Sequence, residues 1–181
     1  MLSRLLTGAA GFSWPGQGVR LVSWRIILRW RLVYRISAVP HEGPFWDAVE
    51  GRVPLPAAAV TLGWELVAVD PDEGTIEVAF TATDAFLNPA GVVQGGFLAA
   101  MLDDTLGPAL VAGLDPGDFA PTTDLHVQFL RPARPGRLLG RGRVVRRGRD
   151  VGFLAGELLD GDGVVVAVAT ATVQIRPRML G

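Results

Sequence analysis

The pattern of apolar and polar positions changes period three times along this chain of 181 residues. Pro44–Glu50 predicts a short helix, and Val53–Ala57 follows as a Pro-rich connector. Leu62–Val69 and Thr75–Thr83 then read as strands, with Asp70-Pro71-Asp72-Glu73-Gly74 as the turn between them. Thr83–Val93 is a loop centred on Asn88-Pro89-Ala90-Gly91. Gly95–Leu114 is the one long helical stretch, and Pro108 is placed to kink it or to end its first part. Small Gly95, Gly96, Ala99 and Ala100 let one helical face approach a sheet closely.

After Pro121 the β period returns in Thr123–Arg131, Arg137–Arg147, Val151–Asp160 and Val164–Ile175. The connections 132–136, 148–150 and 161–163 are short enough for hairpins. The last run is apolar or small on both faces, which predicts a central strand covered on both sides. One helix must then serve about six strands, an α+β arrangement with a curved antiparallel sheet wrapped round the helix. A free edge of such a sheet invites pairing with a second copy.

Composition narrows the function classes. With 49% hydrophobic and 19% charged residues, the chain is apolar enough to bury a core. It has no Cys, which excludes a disulfide scaffold, a zinc–thiolate site and thiol catalysis. No run of 18 uncharged apolar residues occurs, so no simple helix spans a membrane. Every basic residue is Arg, which removes Schiff-base and P-loop lysine chemistry.

The charges divide unevenly. Arg4, Arg20, Arg25, Arg29, Arg31 and Arg35 lie in residues 1–36, which hold three of the five Trp and no acid. The rest of the chain has 11 Arg against 18 acids, a formal charge of −7 that argues against nucleic-acid binding. Residues 1–40 thus read as an atypical basic extension, and 41–181 as the folded domain. The extension is a disordered tail, the translation of sequence upstream of the true start, or a basic Trp-bearing helix (21–36) for an anionic membrane surface. Its interspersed arginines and Pro15 do not fit a signal peptide.

Candidate chemistry lies between residues 88 and 124. Gly95 and Gly96 open the long helix, where bare N–H groups and the helix dipole suit a carbonyl oxygen becoming an oxyanion; close helix–sheet packing explains the two glycines equally well. Asp103-Asp104 follows in an otherwise apolar run, and only one of two adjacent helical residues can look into a pocket, where an apolar setting would raise its basicity. Gly95 and Asp103 stand about 12 Å apart at 1.5 Å per residue. If they act on one carbonyl, the Asp comes from a second subunit.

Asn88-x5-Gln94-Gly95-Gly96-x6-Asp103, followed by the run Thr122 to Ala133, resembles the PaaI-type hotdog-fold acyl-CoA thioesterases over about residues 45–176. The resemblance implies a hotdog fold and hydrolysis of an acyl-CoA thioester. Gly95 N–H and the Asn88 side chain would polarise the carbonyl, Asp103 would be general base or nucleophile, and Thr122 would help position water. It also implies active sites at a homodimer interface, in a dimer or a tetramer of dimers, and a cytoplasmic enzyme needing no metal or organic cofactor. The family commonly has His where this chain has Gln94, which keeps a hydrogen-bond donor but loses the titration.

Gln94, Gly96 and Arg149 complete the expected substrate contacts. Arg146, Arg147 and Arg149 form either a solvated hairpin tip or a grip on coenzyme A phosphates. Phe97, Met101, Leu106 and Phe129 suggest an apolar acyl pocket. His126 reads as a hydrogen-bonded sheet residue, and His41 has no partner nearby in sequence. A non-catalytic acyl-CoA binder is the rival reading, motivated by Gln94. A hydratase lacks its His, and a transcription regulator lacks a helix-turn-helix module.

Overall fold

The computed structural model describes residues 42–177. The basic extension and His41 lie outside them. Helices α1 (Pro44–Val49) and α2 (Ala57–Leu62) precede strands β1 (Glu65–Asp70) and β2 (Thr75–Ala82). The long helix α3 (Gly95–Val111) comes next. It is followed by β3 (Asp118–Phe119), β4 (Thr122–Phe129), β5 (Gly136–Arg147), β6 (Val151–Leu159), β7 (Val165–Gln174) and β8 (Arg176–Pro177).

Six strands form one antiparallel sheet in the order β1-β2-β5-β6-β7-β4, and α3 lies on its inner face. Strand alternation supplies that face. Ile76, Val78 and Phe80 of β2, Leu138 of β5, Leu154 and Leu158 of β6, and Ala169, Ala171 and Val173 of β7 are buried there with Met101, Leu102 and Leu106. The helix comes close because β5 offers glycine beneath it. A Cβ on Gly140 would stand 2.2 Å from Thr105 Oγ1.

Three expectations need correction. Ala57, expected to end the connector, and Leu62, expected to open a strand, are instead the two ends of helix α2: Ala-rich residues run to Gly63, which takes φ 64° and ends the helix. The strand therefore begins at Glu65. Strand β7 is internal but not doubly covered, since Ala167, Ala169, Ala171 and Val173 face the core while Thr170 is exposed. Helix α3 does not end at Pro108, which stands inside it.

Two tryptophans explain how α3 tolerates its proline and its end. Trp46 of α1, 4% exposed, donates its indole N–H to the Ala112 carbonyl beyond the last turn (3.2 Å). Trp64, which follows α2, donates to the Asp104 carbonyl (3.0 Å). That carbonyl lies four residues before Pro108, which has no N–H to give it. No helix among the described residues is long and apolar enough to cross a membrane.

Candidate active site

The residues singled out between 88 and 122 fall into two groups along α3. The first gathers at the helix start. Asn88 Oδ1 accepts from Ala90 N–H (2.9 Å) and Val92 N–H (3.4 Å), so the side-chain carbonyl is spent on its own loop and the amide NH2 is left to donate outward. The loop is tied down by Gln94 N–H to the Phe86 carbonyl (2.8 Å) and by Val93 N–H to the Ala133 carbonyl (2.9 Å). Gln94 is the N-cap with its side chain making no cap bond, and the Gly95 and Gly96 N–H groups find no acceptor among the described residues.

The two glycines differ. A Cβ on Gly95 would stand 3.0 Å from the Phe129 ring, so close packing accounts for that glycine. A Cβ on Gly96 would meet nothing within 4 Å among the described residues, so packing within them does not account for it. The open side of Gly96 leaves the helix start approachable, where the dipole favours negative charge.

The second group lies two turns on. Thr122 Oγ1 donates to Asp103 Oδ1 at 2.8 Å, which joins α3 to the first residue of β4. A bulge makes this possible. The register slips between Thr122 and Asp124, so Thr122 turns inward although Leu125 and Val127 set the opposite parity for the strand's core face. Asp104 takes the apolar setting expected for one of the pair: its Oδ2 is buried without a partner among the described residues, and burial, then the neighbouring Asp103 charge, raises its pKa above the ordinary aspartate value.

Other expected positions separate from these groups. Met101 and Leu106 are fully buried, because they fall on the α3 face that meets the sheet; they are core rather than pocket. Phe97 stacks on Phe86 (4.1 Å between ring centres), and Phe129 is half exposed over the helix start. Arg149 sits on the β5–β6 hairpin with its side chain 92% exposed and paired to Asp150 (3.2 Å). Arg147 instead donates to the Gly113 carbonyl (2.6 Å), next to the end of α3. His126 is the sheet residue expected, in register with Thr170 of β7, but it is exposed and its imidazole makes no hydrogen bond among the described residues. Sequence reasoning missed Trp64; its signal was a Pro inside a helix, which calls for an outside donor.

Comparison with known proteins gives this geometry a family. The thioesterase superfamily profile matches residues 90–167, from the loop before α3 to the first residues of β7. A candidate thioesterase of Ralstonia eutropha, described as related to phenylacetic acid degradation, is 49% identical. Its structure covers 72% of this chain and 98% of its own, with a TM-score of 0.70. This chain belongs to the thioesterase superfamily. Within that family it is also similar to the PaaI protein of the E. coli phenylacetic acid degradation operon, at 25% identity and TM-score 0.64, covering 76% and 94% of the two chains. A candidate esterase of Deinococcus radiodurans is 31% identical over 147 residues, 80% of this chain and 92% of that one. The hotdog thioesterase fold and a hydrolase of thioesters follow for this thioesterase.

Proposed function

We propose that this thioesterase hydrolyses an acyl-CoA thioester at sites shared between two copies of the chain. The observation that carries the reading is the Asp103 carboxylate held by Thr122 at the start of an edge strand. Among the described residues, strand β4 pairs with β7 on one side only. An antiparallel pairing of two β4 edges about a two-fold near His126 sets Thr122 of one copy opposite Leu130 of the other. Phe129 lies on Gly95, so this register carries Asp103 of one copy toward Gly95 and Asn88 of the other. A single helix cannot do this, because its two groups stand about 12 Å apart.

In this site Gly95 N–H and the Asn88 amide donate to the thioester oxygen, with Gly96 N–H and Gln94 beside them. Asp103 removes a proton from water as the water oxygen bonds to the acyl carbon, and the negative charge collects on the held oxygen. The intermediate collapses, the C–S bond breaks, and the proton passes from Asp103 to the departing CoA thiolate. Thr122 keeps the carboxylate in position. Arg149, on its exposed hairpin, is proposed to meet a CoA phosphate, and a CoA ester substrate places the protein in the cytoplasm.

Release of free thiol from a panel of aliphatic and aromatic acyl-CoAs tests the reading. Wild type turns over and Asp103→Ala does not. An active Asp103→Ala removes Asp103 from the chemistry. Gln94 in place of a titratable residue favours a second reading, a non-catalytic acyl-CoA binder. Binding by calorimetry with no turnover on any member of the panel selects it.

A further inference from the structure

Helix α3 carries Asp103 one residue before a carbonyl that its own helix cannot satisfy. In an unbroken α-helix the Asp104 carbonyl accepts from the N–H of residue 108. Residue 108 is proline, which has no N–H, yet the helix continues to Val111. The missing donor comes from outside: Trp64 Nε1 reaches the Asp104 carbonyl at 3.0 Å.

The indole is firmly held. Gly63 N–H donates to the Val60 carbonyl (3.1 Å) and Trp64 N–H to the Ala59 carbonyl (2.9 Å), the paired bonds of a Schellman turn. Gly63 has φ 64°, and a Cβ there would stand 2.8 Å from Thr81 Cβ, so the turn is locked against β2. The Trp64 ring itself packs on the core. The side chain is thus placed by its backbone turn and by its ring before it meets α3.

We propose that Trp64 is a positioning residue for Asp103: its indole N–H replaces the donor lost at Pro108 and keeps the turn bearing Asp103 in register with Thr122. The proposal rests on the reading of Asp103 as the base. Without the bond the 104–105 peptide tilts toward any other donor, as helices do at proline, and the Asp103–Thr122 contact lengthens. Trp64 acts through Asp103 and touches no substrate.

Full-length Trp64→Phe, Pro108→Ala and the double variant test it. Trp64→Phe keeps the packing but removes the donor; the expected result is a fall in kcat of about tenfold or more with KM nearly unchanged. Pro108→Ala supplies a helical N–H, so the double variant recovers kcat to within about threefold of wild type. A fully active Trp64→Phe, or a double variant as impaired as Trp64→Phe, overturns the proposal. Where Trp64→Phe alone does not fold, the double variant decides: folded and active supports the proposal, unfolded overturns it. Where wild type hydrolyses no thioester, the reading of Asp103 as base fails separately. The Asp103 carboxylate 13C resonance then decides on Trp64: it moves in Trp64→Phe and returns in the double variant, and an unmoved resonance overturns the proposal.

Discussion

At the start of α3 the candidate chemistry rests on backbone: two glycine N–H groups left bare by their place in the helix, beside an asparagine whose own loop consumes its carbonyl. Eight residues on, at Asp103, it rests on side chains brought from elsewhere, Thr122 from β4 and Trp64 from the turn after α2. The donors of the first site are set by local order along the chain, although Ala133 and Phe129 from farther along hold and pack that helix start. The second exists only because distant segments meet. Substitutions in the helix start therefore act through space and backbone, whereas those in the middle act through partners far away in sequence.

The largest effect that separates the two regions is at the carboxylate. Asp103→Asn keeps the Thr122 contact geometry but removes the proposed base, and kcat is expected to fall about 100-fold or more in thiol-release assays. A variant with most of its kcat would move the chemistry to the helix start alone. Next, Thr122→Val removes one hydrogen bond to a carboxylate, and kcat falls about tenfold with little change in KM. An unchanged kcat would mean that Asp103 is held by other contacts.

The glycines sharpen the comparison from the other end. Gly95→Ala forces a methyl group against the Phe129 ring and costs about 1–3 kcal/mol in urea unfolding. Gly96→Ala enters space left open by the described residues and leaves stability unchanged or raised by up to about 1 kcal/mol, while it lowers activity by crowding the proposed carbonyl site. Equal stability losses at the two positions would erase the distinction between them.

The smallest effect is a pH dependence at Asp104. Burial, followed by the Asp103 charge, raises its pKa in the folded state above the ordinary value of 3.8. As pH rises from that value through the raised one, the unfolded chain releases this proton first, so the folded state loses stability. Below the window both states hold the proton and the contribution vanishes. Asp104→Asn lacks this loss, so its advantage over wild type in urea midpoint grows as pH rises through the window. A difference between the two proteins that is independent of pH would contradict the assignment.

Much of the fold was legible because it is written in short-range pattern. Alternating residues placed β2, β5, β6 and β7 within a residue or two of their ends, and the helix start followed from Gln94-Gly95-Gly96. The pattern misled where a local signal had two meanings. The stretch 57–62 is apolar in a way that fits strand or helix, and Gly63 settled it by adopting a conformation that no residue-type count reveals. Val165–Val173 is apolar on both faces, but among the described residues only one face has a helix to cover it. The resemblance pointed to Asp103 and Thr122 as separate residues; their contact needed the bulge at Thr123, which reverses the side-chain parity of a strand and leaves no mark in composition.

By itself, the sequence determined the α+β class, the order of the elements, the bare donors that open α3 and the carboxylate two turns later, because helix and strand periods and helix-end hydrogen bonding are local properties. Only the tertiary structure decided which carboxylate meets Thr122, which one is buried without a partner, and how a helix runs through Pro108. Those outcomes depend on contacts 19 and 40 residues apart along the chain, Thr122 to Asp103 and Trp64 to Asp104. A hydrogen bond at that separation forms only when the packing of every intervening element has already set its geometry.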